Sequence, residues 1–209
     1  MQKGHVTRAT IIARAYDMAA RIGFEPLSLA DLAAETGMSK SGLYAHFRSK
    51  EALQQAVLEL AVERFSASVV APALRRPRGT ERLRALFDGY LGWINASAGS
   101  GRCLFMALGQ EYRDRPGPIR DALVQVTKDW HSTIARVAAD AIEDGAFAAD
   151  VEPRQVAFEI VGIGMSYQQS LKLLDRADAE ALARRAFESL LERGRAAMPR
   201  DTTPDMARG

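Results

Sequence analysis

Leu27-Ser28-Leu29-Ala30-Asp31-Leu32-Ala33-Ala34-Glu35-Thr36-Gly37-Met38-Ser39-Lys40-Ser41-Gly42-Leu43-Tyr44-Ala45-His46-Phe47 decides the fold. Ser28 can cap a helix, and Asp31 three residues later makes a near capping box. Leu29, Leu32 and Ala33 supply the buried stripe of that helix. Gly37 ends it and makes a turn, and Ser39 caps a second, shorter helix through about residue 46. Leu43 and Phe47 are four apart, so they share one face and point inward. Ser39, Lys40, Ser41, Gly42, Tyr44 and His46 are left on the other side. A supporting helix, a tight turn and a second helix with an exposed polar N-terminal end form a helix-turn-helix, whose second helix suits a DNA major groove. The expected partner is double-stranded DNA.

Outward from this motif the chain reads as all-α, with about nine helices. Strand alternation is nearly absent, and Ala, Leu, Arg and Glu recur at helical spacing. Ile11, Ile12, Ala15, Met18, Ala19 and Ile22 line one face of a first helix over about 7–22, with Gly23 as its stop. Ser49 caps a fourth helix running to about residue 70, with Glu51 near its positive end. Residues 71–79 contain Pro72, Pro77 and Gly79 and are expected to form a link. Longer helices follow at about 80–96, 118–144, 153–174 and 178–197, the last capped by Asp178, with a short helix at about 103–112. Residues 97–102 are expected as a Gly/Ser loop, and the tail 199–209 as disordered. The expected division is a helix-turn-helix domain over 1–50 and a helical bundle over 51–198, with helix 51–70 as connector.

Net charge is only +2 over 209 residues, but residues 1–50 hold seven Lys/Arg against four acids. A basic N-terminal end on a near-neutral body suits a polyanion there, although scattered cations also make an ordinary solvated surface. The single cysteine, Cys103, excludes an internal disulfide. No apolar run approaches the roughly 20 residues of a spanning helix, and Arg8, Arg14, Asp17 and Arg21 break up the N-terminal segment. A cytoplasmic protein without membrane contact is expected. No phosphate-binding loop, zinc-binding His-Glu pair or catalytic triad is present, so neither an enzyme nor a metal site nor a cofactor is expected.

Gly23-Phe24, the run 27–33, the run 37–47 and Ser49-Lys50-Glu51-Ala52-Leu53 resemble the tetracycline-repressor (TetR) family of bacterial transcription regulators. The similarity is gap-free over residues 7–60. It implies that the helix holding Ser39, Lys40, Ser41 and Gly42 reads bases, and that Tyr44, His46 and Lys50 hold phosphates, with Ser28 among the DNA-binding residues. Tyr44 and His46 could instead merely pack that helix, and the motif could serve as a protein-docking module. One departure is Ala19, where the family usually places a large aromatic; Tyr16 or Phe24 is expected to fill that volume. Gly101-Arg102-Cys103-Leu104-Phe105 and 114–121 look like one subgroup, which implies no particular ligand.

The resemblance further implies that the C-terminal bundle binds a small-molecule effector and dimerises. Phe87, Tyr90, Phe105, Met106, Tyr112, Trp130, Phe158 and Met165 are the candidate ligand-binding residues, since an interior rich in aromatics and Met suits an apolar or aromatic ligand. The plain alternative is a packed core. Cys103 is either a buried small hydrophobe or a thiol activated by Arg102 to sense electrophiles. Gly162 and Gly164 inside one helix suggest close packing at a two-fold interface. Leu171, Leu174, Leu182, Phe187, Leu190 and Leu191 would give the last two helices apolar surface for a homodimer. The function expected is a homodimeric repressor on a palindromic operator, released by an effector. The alternatives are a transcriptional activator or a ligand-independent DNA-binding protein.

Overall fold

The computed structural model describes residues 7–100 and 103–195, excluding the side chains of 97–100. The tail 199–209 and Arg102 therefore lie outside the described residues. The elements are α1 (Arg8–Ile22), α2 (Leu29–Thr36), α3 (Lys40–His46), α4 (Lys50–Phe65), a π-helical stretch (Ser66–Val70), α5 (Ala71–Leu74), α6 (Thr80–Ser100), α7 (Leu104–Glu111), α8 (Pro118–Glu143), α9 (Pro153–Lys172) and α10 (Ala179–Gly194). Residues 50–74 stay helical without a break, so nine rods result among the described residues. The one β feature among those residues is an isolated bridge between Phe147 and Arg195. No described helix is long and apolar enough to cross a membrane.

The local signals act as their chemistry requires. Thr7, Ser28, Ser39 and Ser49 each accept the amide three residues on, which satisfies one orphan N–H per helix. Gly23 and Gly37 end α1 and α2 at φ +86° and +66°, where a side chain would be strained. Three expectations need correction. The link at 71–79 begins later, because the chain remains helical through Leu74. There the Ala71 amide bonds the Ser66 carbonyl five residues back, and Pro72 enters the first turn of α5, where no donor is needed. The loop expected at 97 is helical to Ser100. Asp178 precedes α10 but does not cap it, since Arg176 holds its carboxylate at 2.9 and 2.8 Å.

Two apolar cores organise the rods. The first joins Ile11, Phe24, Leu32, Leu43, Phe47, Leu53 and Val57 with Leu104, Leu108, Ile119 and Leu123 from α7 and α8. Ala19 and the fully buried Phe24 both lie in this core, and Tyr16 packs against it partly buried. Tyr16 lies beneath Arg64, whose guanidinium carbon is 4.5 Å from its ring centre. The second core fills the bundle of α6, α8, α9 and α10. In it the Phe87 and Phe187 rings stack at 4.0 Å with 7° between their planes.

Candidate nucleic-acid interface and effector box

α3 is held by its buried face and offers the other. Leu43 is fully buried and Phe47 nearly so, while Lys40, Ser41, Tyr44, Ala45 and His46 are exposed. Tyr44 is 54% exposed, so its ring does not pack α3 against the body. Ser39 accepts the Gly42 amide at 3.1 Å and lies 3.2 Å from the Ser41 hydroxyl. A Cβ at Gly42 would come within 3.2 Å of Ser39 Oγ, so crowding by the cap already favours glycine there. The two remaining candidates are tied locally. Ser28 caps α2 and donates to Asp31 Oδ2 at 2.5 Å, and Lys50 Nζ donates to the Glu25 carbonyl at 2.6 Å. The structure thus gathers Ser39, Lys40, Ser41, Gly42, Tyr44 and His46 on one short helix, with Ser28 and Lys50 on flanking elements.

The Phe24 peptide ties this end to the bundle. Its amide donates to Glu111 Oε2 of α7 at 2.9 Å, and its carbonyl accepts from Gln54 Nε2 of α4 at 3.3 Å. Tyr112 meets the Phe24 ring edge-on at 6.2 Å, and Arg115 pairs with Glu25 at 2.6 Å. A Cβ at Gly23 would stand 2.6 Å from Glu111 Oε2, so a side chain there would push aside the carboxylate that receives the Phe24 amide, on top of the strain of its φ.

The eight candidate ligand residues do not form one site. Tyr90, Phe105 and Trp130 converge in a box of rings, with Met106 packed against the same core. Phe65 and Trp93 complete the box and were missed in the sequence. Both had a signal: Trp93 lies three residues after Tyr90, and Phe65 four after buried Ala61. Phe87 is committed to its stack with Phe187, and Tyr112 stands at the junction with the N-terminal end. Phe158 and Met165 are corrections. They are 67% and 49% exposed, because Ala157, Ile160, Gly164 and Tyr167 form the inward stripe of α9. Gly164 needs no second subunit, since a Cβ there would lie 2.0 Å from the Tyr90 ring. Phe187, Leu190 and Leu191 likewise serve their own bundle, not an outer face.

Cys103 is buried, and burial pushes its thiol above the ordinary range, which opposes the reactive-thiol alternative. His131 lines a surface groove of ≈ 610 Å³ between α8 and α9, beside Lys128 and Arg154. No group of three His, Cys, Asp or Glu among the described residues could hold a metal ion.

Residues 11–57 match the model of the tetR family of bacterial regulatory proteins, and residues 79–187 match that of the tetracyclin repressor-like C-terminal domain. No curated protein matches the chain. Among solved structures, a TetR transcriptional regulator from Chloroflexus aurantiacus is 23% identical, covering 94% of this chain and all of that one, with a TM-score of 0.80. A TetR-family regulator from Cytophaga hutchinsonii is 18% identical over 95% of this chain and 99% of its own, with a TM-score of 0.81. AibR, solved with isovaleryl coenzyme A and operator DNA, is 21% identical over 88% of this chain and 95% of its own, with a TM-score of 0.69. The second model spans more than half of the chain, and together these findings place it in the TetR family of DNA-binding transcriptional regulators.

Proposed function

We propose that the protein is a homodimeric, ligand-responsive repressor that binds a near-palindromic operator. The observation that carries this reading is the outward face of α3, where Lys40, Ser41, Tyr44 and His46 are exposed together on a helix fixed by Leu43 and Phe47. Ser39, Lys40, Ser41 and Gly42, earliest on the helix, are assigned to base edges. Tyr44, His46, Lys50 and Ser28 are assigned to phosphates. The working division is residues 1–50 for DNA and 51–198 for effector and dimer. The protein acts on DNA in the cytoplasm.

The second copy is assigned to the outer faces of α9 and α10. Residues 160–171 contain no charged side chain; Phe158 and Met165 of α9 and Leu182 of α10 are exposed, as is Leu174 between the two helices. Gly162 lies on this face with nothing within 4 Å of its Cβ position. Charge-poor apolar surface of this kind suits a permanent interface. Two-fold pairing would set the two α3 helices about one turn of DNA apart, roughly 34–36 Å. An effector in the bundle would favour a different spacing, and a coupling of about 1–3 kcal/mol would weaken operator binding several-fold or more. The neighbour solved with both a small molecule and operator DNA supports such a division of labour.

The test is selection of genomic fragments by the purified protein at one moderate salt concentration, with the captured DNA sequenced. A shared palindromic motif is expected. Binding without a common motif, or no binding, would overturn the reading.

A further inference from the structure

The ring box beneath α4 has an unusual occupant. Phe65, the last residue of α4, meets three rings edge-on: Trp93 of α6 at 5.3 Å, Phe105 of α7 at 5.7 Å and Trp130 of α8 at 5.0 Å. Trp93 and Phe105 face each other at 6.2 Å, and Tyr90 closes on Trp130 at 5.4 Å. Three rings from three helices thus meet one ring from the helix that starts at Lys50, beside α3, and Tyr90 backs one of them. The π-helical stretch Ser66–Val70 follows Phe65 immediately. The far half of this stretch is anchored, because a Cβ on Gly89 of α6 would lie 3.2 Å from the Cα of buried Val69. The indole N–H of Trp130 is buried and has no hydrogen-bond partner.

We propose that Phe65 stands in the effector's place. The effector is a small, flat aromatic molecule with a hydrogen-bond acceptor. It takes the position of the Phe65 ring against Trp93, Phe105 and Trp130, and its acceptor receives the Trp130 N–H. The expelled ring frees the end of α4, and the first residues of the π turn, ahead of the packed Val69, absorb the rotation; single π turns inside helices recur at functional sites. This deepens the ligand-responsive reading and rests on it. Its warrant is differential affinity, because a ligand shifts an equilibrium only by what it gains over the group it replaces. An aromatic ring reproduces the edge-to-face contacts that Phe65 makes, which an alkyl chain does not. The acceptor then adds the one bond that Phe65 cannot give the buried N–H. The box's unpaired polar group is a donor, so it favours a neutral acceptor over a cation.

The chain has two tryptophans, both in the box, so the indole N–H region of a ¹H–¹⁵N NMR spectrum reports on it directly. The probes are acetophenone, which carries an acceptor, and ethylbenzene, which has the same shape without one. Phe65→Ala opens the place and is expected to bind acetophenone at least tenfold more tightly than the unaltered chain. The Trp130 N–H signal should move downfield with acetophenone and not with ethylbenzene. Without any ligand, Phe65→Ala should bind the selected operator about tenfold more weakly. Phe65→Leu, a smaller opening, guards against loss of folding and should show the same effects in reduced size. Trp130→Phe keeps the ring and should abolish the preference for acetophenone. Folded variants whose indole signals ignore both probes overturn the site. Variants that bind acetophenone and keep full operator affinity overturn the link to α4. A chain that selects no DNA motif at all defeats the broader reading instead, and the NMR titration still decides whether the box is a site.

Discussion

Lys40 and Trp130 belong to candidate sites of opposite build. Lys40 stands exposed on α3, and its helix is fixed by contacts three and four residues apart: Ser39 to Gly42, Leu43 to Phe47. Trp130 meets the rings of Phe65 and Tyr90, and Phe65 in turn meets Trp93 and Phe105, so the box draws on three other helices and distant parts of the chain. A surface built from local rules tolerates change in any one exposed side chain. A box built from long-range ring contacts transmits every change to several helices at once. The comparison predicts that substitutions between the two regions cost most, those inside the bundle less, and those on α3 alter recognition while leaving the fold intact.

The largest effect is expected at α7, where both regions meet. Leu108→Ala removes a fully buried side chain of the N-terminal core and should cost about 4 kcal/mol, measured by chemical denaturation. Hydrogen exchange should show residues 11–57 opening first. Equal loosening of both cores would erase the contrast. Gly164→Ala comes next, at about 3 kcal/mol, because the new methyl meets a buried tyrosine ring at a distance no repacking of α9 removes. Gly162→Ala, two residues away in open space, should raise the stability of the subunit by up to about 1 kcal/mol. It should also weaken dimers in sedimentation if the second copy packs there; unchanged assembly would argue for another interface.

On α3, Lys40→Ala should change operator preference at one position by about 1–2 kcal/mol, while Lys50→Ala should weaken all sequences alike and lower the salt slope by about one. Equal loss on every sequence for Lys40→Ala would remove it from base reading. The smallest effect is expected for Glu188→Gln. Arg84 makes a two-pronged pair with Glu188, one arm at 2.8 Å, and holds its carboxyl below the usual range. Glu188 is 46% exposed, so screening keeps the loss under about 1 kcal/mol. A depressed folded value makes this contribution complete above the unfolded carboxylate range, near pH 4.3, and lost as pH falls through the folded value. The variant and the parent should therefore melt alike in strong acid, which a thermal scan against pH would check.

The helix-turn-helix was legible because its signals are local. Ser28, Ser39 and Ser49 act on amides three residues away, and Gly23 and Gly37 act on their own φ. The rods of the bundle were legible from the same cues. Their facing was not. Between Glu159 and Lys172 no charge marks which side of α9 meets water, so nothing local in the sequence turns Phe158 and Met165 outward. The box is half legible: Tyr90, Phe105 and Trp130 stand out as aromatics of the bundle helices, while Phe65 ends the connecting helix and the π turn that follows it has no simple sequence mark.

The grip of α7 on the Phe24 peptide bears on how such proteins diversify. A regulator that recombined at residue 65, keeping this DNA-reading end and taking a new sensor, would leave behind Leu104, Leu108, Ile119 and Leu123, which complete its first core. It would also lose the carboxylate that receives the Phe24 amide. The core that supports α3 is therefore built from two separated pieces of chain, 11–61 and 104–123. New sensors on this scaffold are expected to arise by point changes around the box sooner than by exchange of halves.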